Sequence, residues 1–448
     1  MKEFACYNPA SNFISIKSFS KKLNRFLLFI FIVLVFFVYG KCYSQSGWYQ
    51  VPLPMNGTIW NIQFLNHNLG WIRMNDTAEQ NAYILRTTNG GNNFTIIGPQ
   101  NIWEIYFFND TLGYGFGTIG SNSVLFKSTN SGFNWTTVFS STQLILCFHF
   151  INPDTGWLGM YNGGFTSILK QTTDGCQSFQ TIWTGTGQGV DDILFIKPSV
   201  SGMYYGFKNE SGIIARTTNS GVSWINTSID YGQTMFFLNK DTGWVSNNNG
   251  GIFKTLNGGV NWITEYLPNN NVVYSITFSN QRKGWGAGGP YYLFATSTGG
   301  NVWGRQNIPV LGTSHLFFSD SLYGWGGVNT LIHTTDGGGP ITQITNTNEQ
   351  IPQNYYVSQN YPNPFNPQTK IDLSVKENSV INLILYDITG KEMLRPVKSE
   401  EMKSGNYKIV LDFSRWNLSS GVYFYRFEAL NKKDNNIFSQ TKKMLFVK

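Results

Sequence analysis

The 448-residue chain is poor in charge, cysteine and histidine, and each shortage closes off a class of function. Charged residues are 13% of it, fewer than the 16% that are Phe, Trp or Tyr. The formal net charge of +7 belongs to the ends. Residues 1–44 carry six Lys and Arg against one acid, and residues 346–448 carry fourteen against ten. The stretch between them has twelve against fourteen, so it lacks the basic field that nucleic acid needs, and no nucleic-acid partner is expected. Of four cysteines, Cys6 and Cys42 lie near the N-terminus, Cys147 falls in a predicted strand and Cys176 in a turn. No bridge is expected, and two cysteines lack the spacing of a structural zinc site. His67, His149, His315 and His333 are scattered, so we expect neither metal nor cofactor.

The apolar run FLLFIFIVLVFFVY, Phe26 to Tyr39, falls short of the ~20 residues that span a bilayer as a helix. Behind Lys17, Lys21, Lys22 and Arg25 it fits a signal segment. We assign residues 1–44 as a signal peptide cleaved after Ser44; an uncleaved anchor is the alternative. A lipid site at Cys42 is disfavoured because Lys41 replaces the small residue that should precede it.

What the chain has in quantity is one turn. It appears as RTTNGGNNF (ending at Phe94), KSTNSGFNW (Trp135), QTTDGCQSF (Phe179), RTTNSGVSW (Trp224), KTLNGGVNW (Trp262) and ATSTGGNVW (Trp303), then as a truncated HTTDGGG ending at Gly339. Asn and Asp fold their side chains onto the local backbone, Gly supplies positive φ, and the aromatic opens a half-buried strand. Between the turns runs a second signature: an apolar residue, five residues, then Gly followed by an aromatic or Met. Its copies start at Phe64, Phe107, Phe150, Ile196, Phe237, Phe278 and Phe318, with glycines at 70, 113, 156, 202, 243, 284 and 324. Strand and turn signals repeating every ~40–50 residues indicate four-stranded propeller blades. The seventh turn lacks its aromatic, and GWYQVPLPMNGTIWNIQF from Gly47 aligns with NWITEYLPNNNVVYSITF from Asn261. We therefore expect an N-terminal strand carrying Trp48 to complete the last blade, since an open ring would leave unpaired sheet edges.

The turn resembles the Asp-box, or bacterial neuraminidase repeat, of sialidase-like and photosystem II assembly factor-like β-propellers. The third copy departs at Cys176, and the sixth at Thr298 and Val302. In those families the box is a structural corner, so the resemblance implies a fold more than an activity. The expected organisation is all-β. A seven-bladed β-propeller over 45–340 is followed by a polar linker at 341–353 and a small Ig-like β-sandwich over 354–448. The sandwich rests on alternating stretches after YPNPFNPQTKIDLSV (Tyr361 to Val375). YPNPFNP, LYDITGK, GVYFYRF and the terminal KKMLFVK are similar to the type A C-terminal sorting domain of type IX secretion. That resemblance implies Sec export, passage across an outer membrane by the type IX machinery, removal of the domain, and a secreted or surface-attached product. An adhesive Ig-like module is the alternative.

Little in the propeller looks catalytic. Gly115, Gly117 and Gly120 fit GxGxxG, but strands surround them where a phosphate-binding fingerprint needs a helix. Sialidase chemistry needs three arginines on one carboxylate; of Arg73, Arg86, Arg216, Arg282 and Arg305, two occupy a repeat position before the turn. Glu104, Asp191 and Asp192 are the acids of predicted innermost strands, where a two-carboxylate glycosidase would need its pair. Counting four residues back from each apolar anchor gives a mixed ring at one end of the channel. Trp60, Trp103, Asp192, Gln233 and Tyr274, with neighbouring Glu104, are the candidate ligand-binding residues. Trp60, Trp103 and Tyr274 equally suit a cap on the core. We expect an exported, non-enzymatic binding protein with an unknown protein or glycan ligand. The alternatives are a glycoside hydrolase of sialidase or xyloglucanase type and a carbohydrate-binding adhesin.

Overall fold

The computed structural model describes residues 47–448 except 99, 197–202, 231, 268–270, 289–291, 340, 349–351, 414–417 and 434. The proposed signal peptide, Gly202 and part of the proposed linker lie outside the described residues. Within them the chain is all strand and turn, with no helix. Seven four-stranded antiparallel units follow one another, and their innermost strands lie side by side around a central axis. In the first six blades the strands pair in sequence order. The seventh is Gly324–Gly327 between His315–Phe318 and Leu331–Thr334, with Tyr49–Val51 paired to the last of these.

One aromatic contact, repeated seven times, joins blade to blade. The aromatic of each second strand stacks on the Phe that anchors the next blade's innermost strand. Trp71 lies on Phe107 at 4.0 Å and 4°, Tyr114 on Phe150, Trp157 on Phe195, Phe207 on Phe237, Trp244 on Phe278 and Trp285 on Phe318. Trp325 on Phe64, at 3.6 Å, closes the circle. The indoles of Trp71, Trp244, Trp285 and Trp325 also donate to a backbone carbonyl in the next blade's repeat turn. The Gly before each aromatic has a packing cause: a Cβ at Gly70 would stand 2.3 Å from the Phe64 ring lying across it.

The repeat turn is held by side-chain oxygens. In the first copy Thr87 Oγ1 accepts from Gly91 N (2.9 Å) and Asn89 Oδ1 from Asn93 N (2.9 Å). The sixth copy keeps the bond with a hydroxyl, Val302 N donating to Thr298 Oγ1 at 2.9 Å. In the seventh the partner comes from the other end of the propeller: Gly47 N donates to Asp336 Oδ2 at 2.8 Å. Trp48 then meets Phe318 edge-on at 5.6 Å, as Trp303 meets Phe278 at 5.8 Å. The N-terminal segment thus supplies the amide, the aromatic and the strand that the truncated turn lacks.

Blade 4 corrects the sequence reading. Its anchor is Phe195, opposite Gly206, not Ile196 with Gly202; Ile196 pairs with Tyr205. The signature is spread because ten residues, not the usual five, separate anchor from glycine, and Met203 is left exposed.

The C-terminal region is a sandwich of two sheets. One has Gly405–Asp412 next to Gln368–Val375 and Tyr356–Val357; the other has Ser379–Tyr386 between Glu392–Met402 and Gly421–Asn431, with Ile437–Phe446 at its edge. Phe365 of YPNPFNP is buried against Phe413 and against Phe446 of the terminal motif. A second correction concerns the linker. Eight residues expected to be unpatterned, Ile341–Asn348, form a strand between the outer strand of blade 6, Gly304–Asn307, and Gly405–Asp412. Two open edges flank this segment, and pairing its backbone satisfies them whatever its side chains.

Candidate functional site

Each innermost strand runs from one mouth of the channel toward its anchor Phe. Residues an even number of steps before the anchor are sealed between blades: Ile62, Ile105, Phe148, Ile193, Met235 and Ile276, two steps back, are buried. Residues at odd steps keep accessible surface in most blades, so this row faces the axis. Near the mouth the alternation is interrupted by β-bulges. Pairing skips Trp60, Trp103, Leu146 and Gln233, the same position in blades 1, 2, 3 and 5. A bulge leaves one residue unpaired and re-aims its side chain. Trp60 is thereby 50% exposed and Trp103 42%; Tyr274, at the equivalent place in blade 6, is 52% exposed. These are large apolar surfaces for one rim. Trp60 is held by Glu79, whose carboxylate also accepts from Thr58 and Asn75 and is kept below its usual pKa by those bonds. Trp103 packs edge-on against Phe116 at 5.8 Å.

One step deeper, three residues before each anchor, all seven blades present a polar side chain or thiol. Blades 1 to 4 give Asn61, Glu104, Cys147 and Asp192; blades 5 to 7 give Thr234, Ser275 and His315. Sequence reading missed this ring because it counted only even steps and took Ile196 as an anchor. With Phe195 as the anchor, Asp191 is the residue at the rim position and Asp192 stands beside Glu104 in the deeper ring. Counting odd steps from seven aligned anchors would have revealed it. The six candidate residues therefore occupy two adjacent levels: Trp60, Trp103, Gln233 and Tyr274 at the rim, Glu104 and Asp192 below.

The deeper ring is electrostatically unusual. Burial pushes Glu104 up to about 8, with the Asp192 charge adding to the effect. Burial likewise pushes Asp192 up to about 7, opposed by its bond to the Ile193 amide. His315 is driven down to about 4 by burial, so it is neutral at neutral pH. The Cys147 thiol donates to Val190 O at 3.2 Å and is held well above its ordinary pKa by burial and by three acids. Asn61 Oδ1 is sealed from solvent with no hydrogen-bond partner among the described residues. No group of three or more His, Cys, Asp or Glu among the described residues is arranged to hold a metal ion.

Comparison with known proteins bears on the two regions separately. Residues 359–444 match the secretion system C-terminal sorting domain family. The chain ends in a sorting domain. No curated protein sequence matches the chain. Among solved structures, YCF48 bound to D1 peptide is similar with a TM-score of 0.50 and 16% identity, over 65% of this chain and 97% of that one. YCF48 from Cyanidioschyzon merolae gives 0.49 and 17%, over 64% and 98%. The GH74 enzyme of Niastella koreensis gives 0.51 and 11%, over 88% and 74%. At these identities the likeness is one of fold, and the fold is a β-propeller. A sorting domain behind a propeller marks an exported propeller protein, secreted or at the cell surface.

Proposed function

We propose that the protein is a non-enzymatic binder, carried out of the cell by the type IX machinery acting on residues 354–448. Its propeller takes a protein or glycan partner at the mouth rimmed by Trp60, Trp103 and Tyr274. One observation carries this reading: three large aromatics, two of them on bulges, stand about half exposed around one end of the channel. Isolated exposed apolar residues are ordinary, but several together with polar groups beneath them are a feature of binding surfaces. Hydrolysis is less well supported. A glycosidase needs two carboxyl groups whose environments push their pKa values apart, whereas burial pushes Glu104 and Asp192 the same way. The solved propeller with a peptide bound has the same fold, which is compatible with a peptide partner here.

The test is a glycan array and a peptide array probed with the full chain and with its Trp60→Ala/Trp103→Ala/Tyr274→Ala variant. We expect wild-type hits to weaken by about tenfold or more in the variant, as for central aromatic anchors. Hits kept at full strength would move the site elsewhere, and turnover of an arrayed sugar would favour the hydrolase.

A further inference from the structure

The ring beneath the rim lacks a partner of one particular kind. Glu104 makes no side-chain hydrogen bond among the described residues, although it is densely surrounded by protein. Asn61 Oδ1, at the same level in the adjacent blade, is an acceptor with no donor. Asp192 holds the same level one blade beyond the intervening Cys147 strand, near enough for its charge to act on Glu104. Three acceptors thus share one level of the channel, and no buried Lys or Arg among the described residues is hydrogen-bonded or ion-paired to them. The buried Lys and Arg side chains of the described propeller are engaged elsewhere: Arg73 on the Ile102 carbonyl (2.9 Å), Lys208 on Glu210 and the Trp183 ring, Arg305 on Glu400. The imidazole of His315 is neutral. At the rim above, the exposed Glu79 carboxylate stands beside Trp60, held in its charged form first by Thr58 and Asn75 and in smaller part by the nearby Arg73 charge.

Resting on the reading of this mouth as a binding site, we propose that it takes the lysine or arginine side chain of a peptide, its cationic head among Glu104, Asp192 and Asn61. The aromatic rim suits the rest of such a ligand. Trp and Tyr faces attract a cation on its way in and cover the aliphatic stem once the head is seated. The head group supplies the donors that Glu104 and Asn61 lack, and charge-assisted bonds of this type are the strong ones. A bare metal ion suits the ring less, because its acids and thiol are not grouped as ligands. A neutral sugar could stack on the rim but would bring no charge to draw the two raised carboxyl groups into their ionised form.

Fluorescein-labelled glycine–lysine and glycine–arginine repeat peptides, a glycine–serine control and a panel of neutral oligosaccharides are titrated against the full chain. The variants are Glu104→Gln/Asp192→Asn and Trp60→Ala/Trp103→Ala, with thermal melts to show that each is folded. The basic peptides should bind at least about tenfold more tightly than the control, and both variants should lose that margin. Basic-peptide binding unchanged in Glu104→Gln/Asp192→Asn would mean general surface attraction and overturn the inference. Oligosaccharide binding lost only in the tryptophan variant would overturn it too, while leaving the mouth as the binding site. If no probe binds and the tryptophan variant matches wild type on every array, both readings fail.

Discussion

At the scale of single residues, the odd copies of the repeat explain each other. Cys176 stands where the other complete turns have Gly, and it adopts φ 73°, a region that disfavours a side chain. From sequence alone, Cys176→Gly should be neutral or stabilising. The structure adds a contact: the thiol is buried and bonded to the hydroxyl of Tyr114, the one Tyr among the stacking aromatics. Where Trp fills that position, in four blades it reaches the neighbouring turn carbonyl by its indole; Tyr114 instead donates to Pro153 O at 2.9 Å. Relief of strain is thus opposed by a lost buried contact. Cys176→Gly alone should cost up to ~1 kcal/mol, and Tyr114→Trp alone should also destabilise by crowding the thiol. The double variant restores the pattern of the other blades and should lose less than the sum. Urea denaturation of all four proteins gives the coupling energy; strict additivity would show that the two residues are independent.

The ring acids give a second residue-scale prediction. Glu104 and Asp192 have folded-state pKa values raised to about 8 and about 7. In that range the folded chain holds protons that the unfolded chain has released. Their contribution to stability is fully present below the ordinary carboxylate range and is lost as pH rises through about 7 to 8. Raising pH from 5 to 9 should therefore lower the melting temperature of wild type more than that of Glu104→Gln/Asp192→Asn. Parallel curves for the two proteins would place the carboxyl groups in water.

At the scale of elements, the propeller was legible because one contact is repeated. The Phe, the Gly beneath its ring and the stacking aromatic form a unit that sequence spacing exposes. The same periodicity gave the closing strand, since Trp48 falls where the seventh turn lacks its aromatic. Reading failed where the unit is stretched, in blade 4, and that slip moved Asp192 by one step and hid the polar ring. The strand Glu392–Met402 likewise offers no alternation to read. Register shifts in its pairing to Ser379–Tyr386 break the alternation, and its exposed face is charged. The bulges at Trp60 and Trp103 have no sequence signal of their own, because a bulge is a property of the pairing and not of one strand. The closing element can be tested directly. Trp48→Ala removes a buried indole, its bond to Gln306 and its edge contact with Phe318. It should cost ~3–5 kcal/mol and lower the melting temperature of the whole propeller, because one broken blade junction opens the ring. Deleting residues 45–53 should cost more, since Gly47's bond to Asp336 and the pairing with Leu331–Thr334 go as well. A wild-type melt for the deletion would show that the ring does not need its seventh junction.

At the scale of the whole molecule, the strand Ile341–Asn348 joins what sequence treated as separate. It pairs with the blade 6 edge through Thr342 opposite Arg305, and with the sandwich along its length. Around this seam Arg305 forms a largely buried ion pair with Glu400, Asn307 donates to Arg395 O, and Thr342 Oγ1 donates to Pro396 O at 3.1 Å. Breaking one side of a buried pair strands the other charge, so Glu400→Ala should cost more than an exposed pair would, up to ~3–5 kcal/mol. Glu400→Gln, which keeps an acceptor for the guanidinium, should cost less. The seam also restricts where a protease can separate the sorting domain. Cutting within Ile341–Asn348 requires that strand to be drawn out of two pairings, whereas cutting beyond Asn348 leaves it on blade 6 as a cover for the open edge of Gly304–Asn307. We expect the exported, mature chain to retain Ile341–Asn348 and to lack KKMLFVK. Mass spectrometry of the protein from medium and surface fractions reads its C-terminus directly. A terminus before Ile341 would show that the seam opens before processing, and full-length chain outside the cell would return the sandwich to the adhesive alternative.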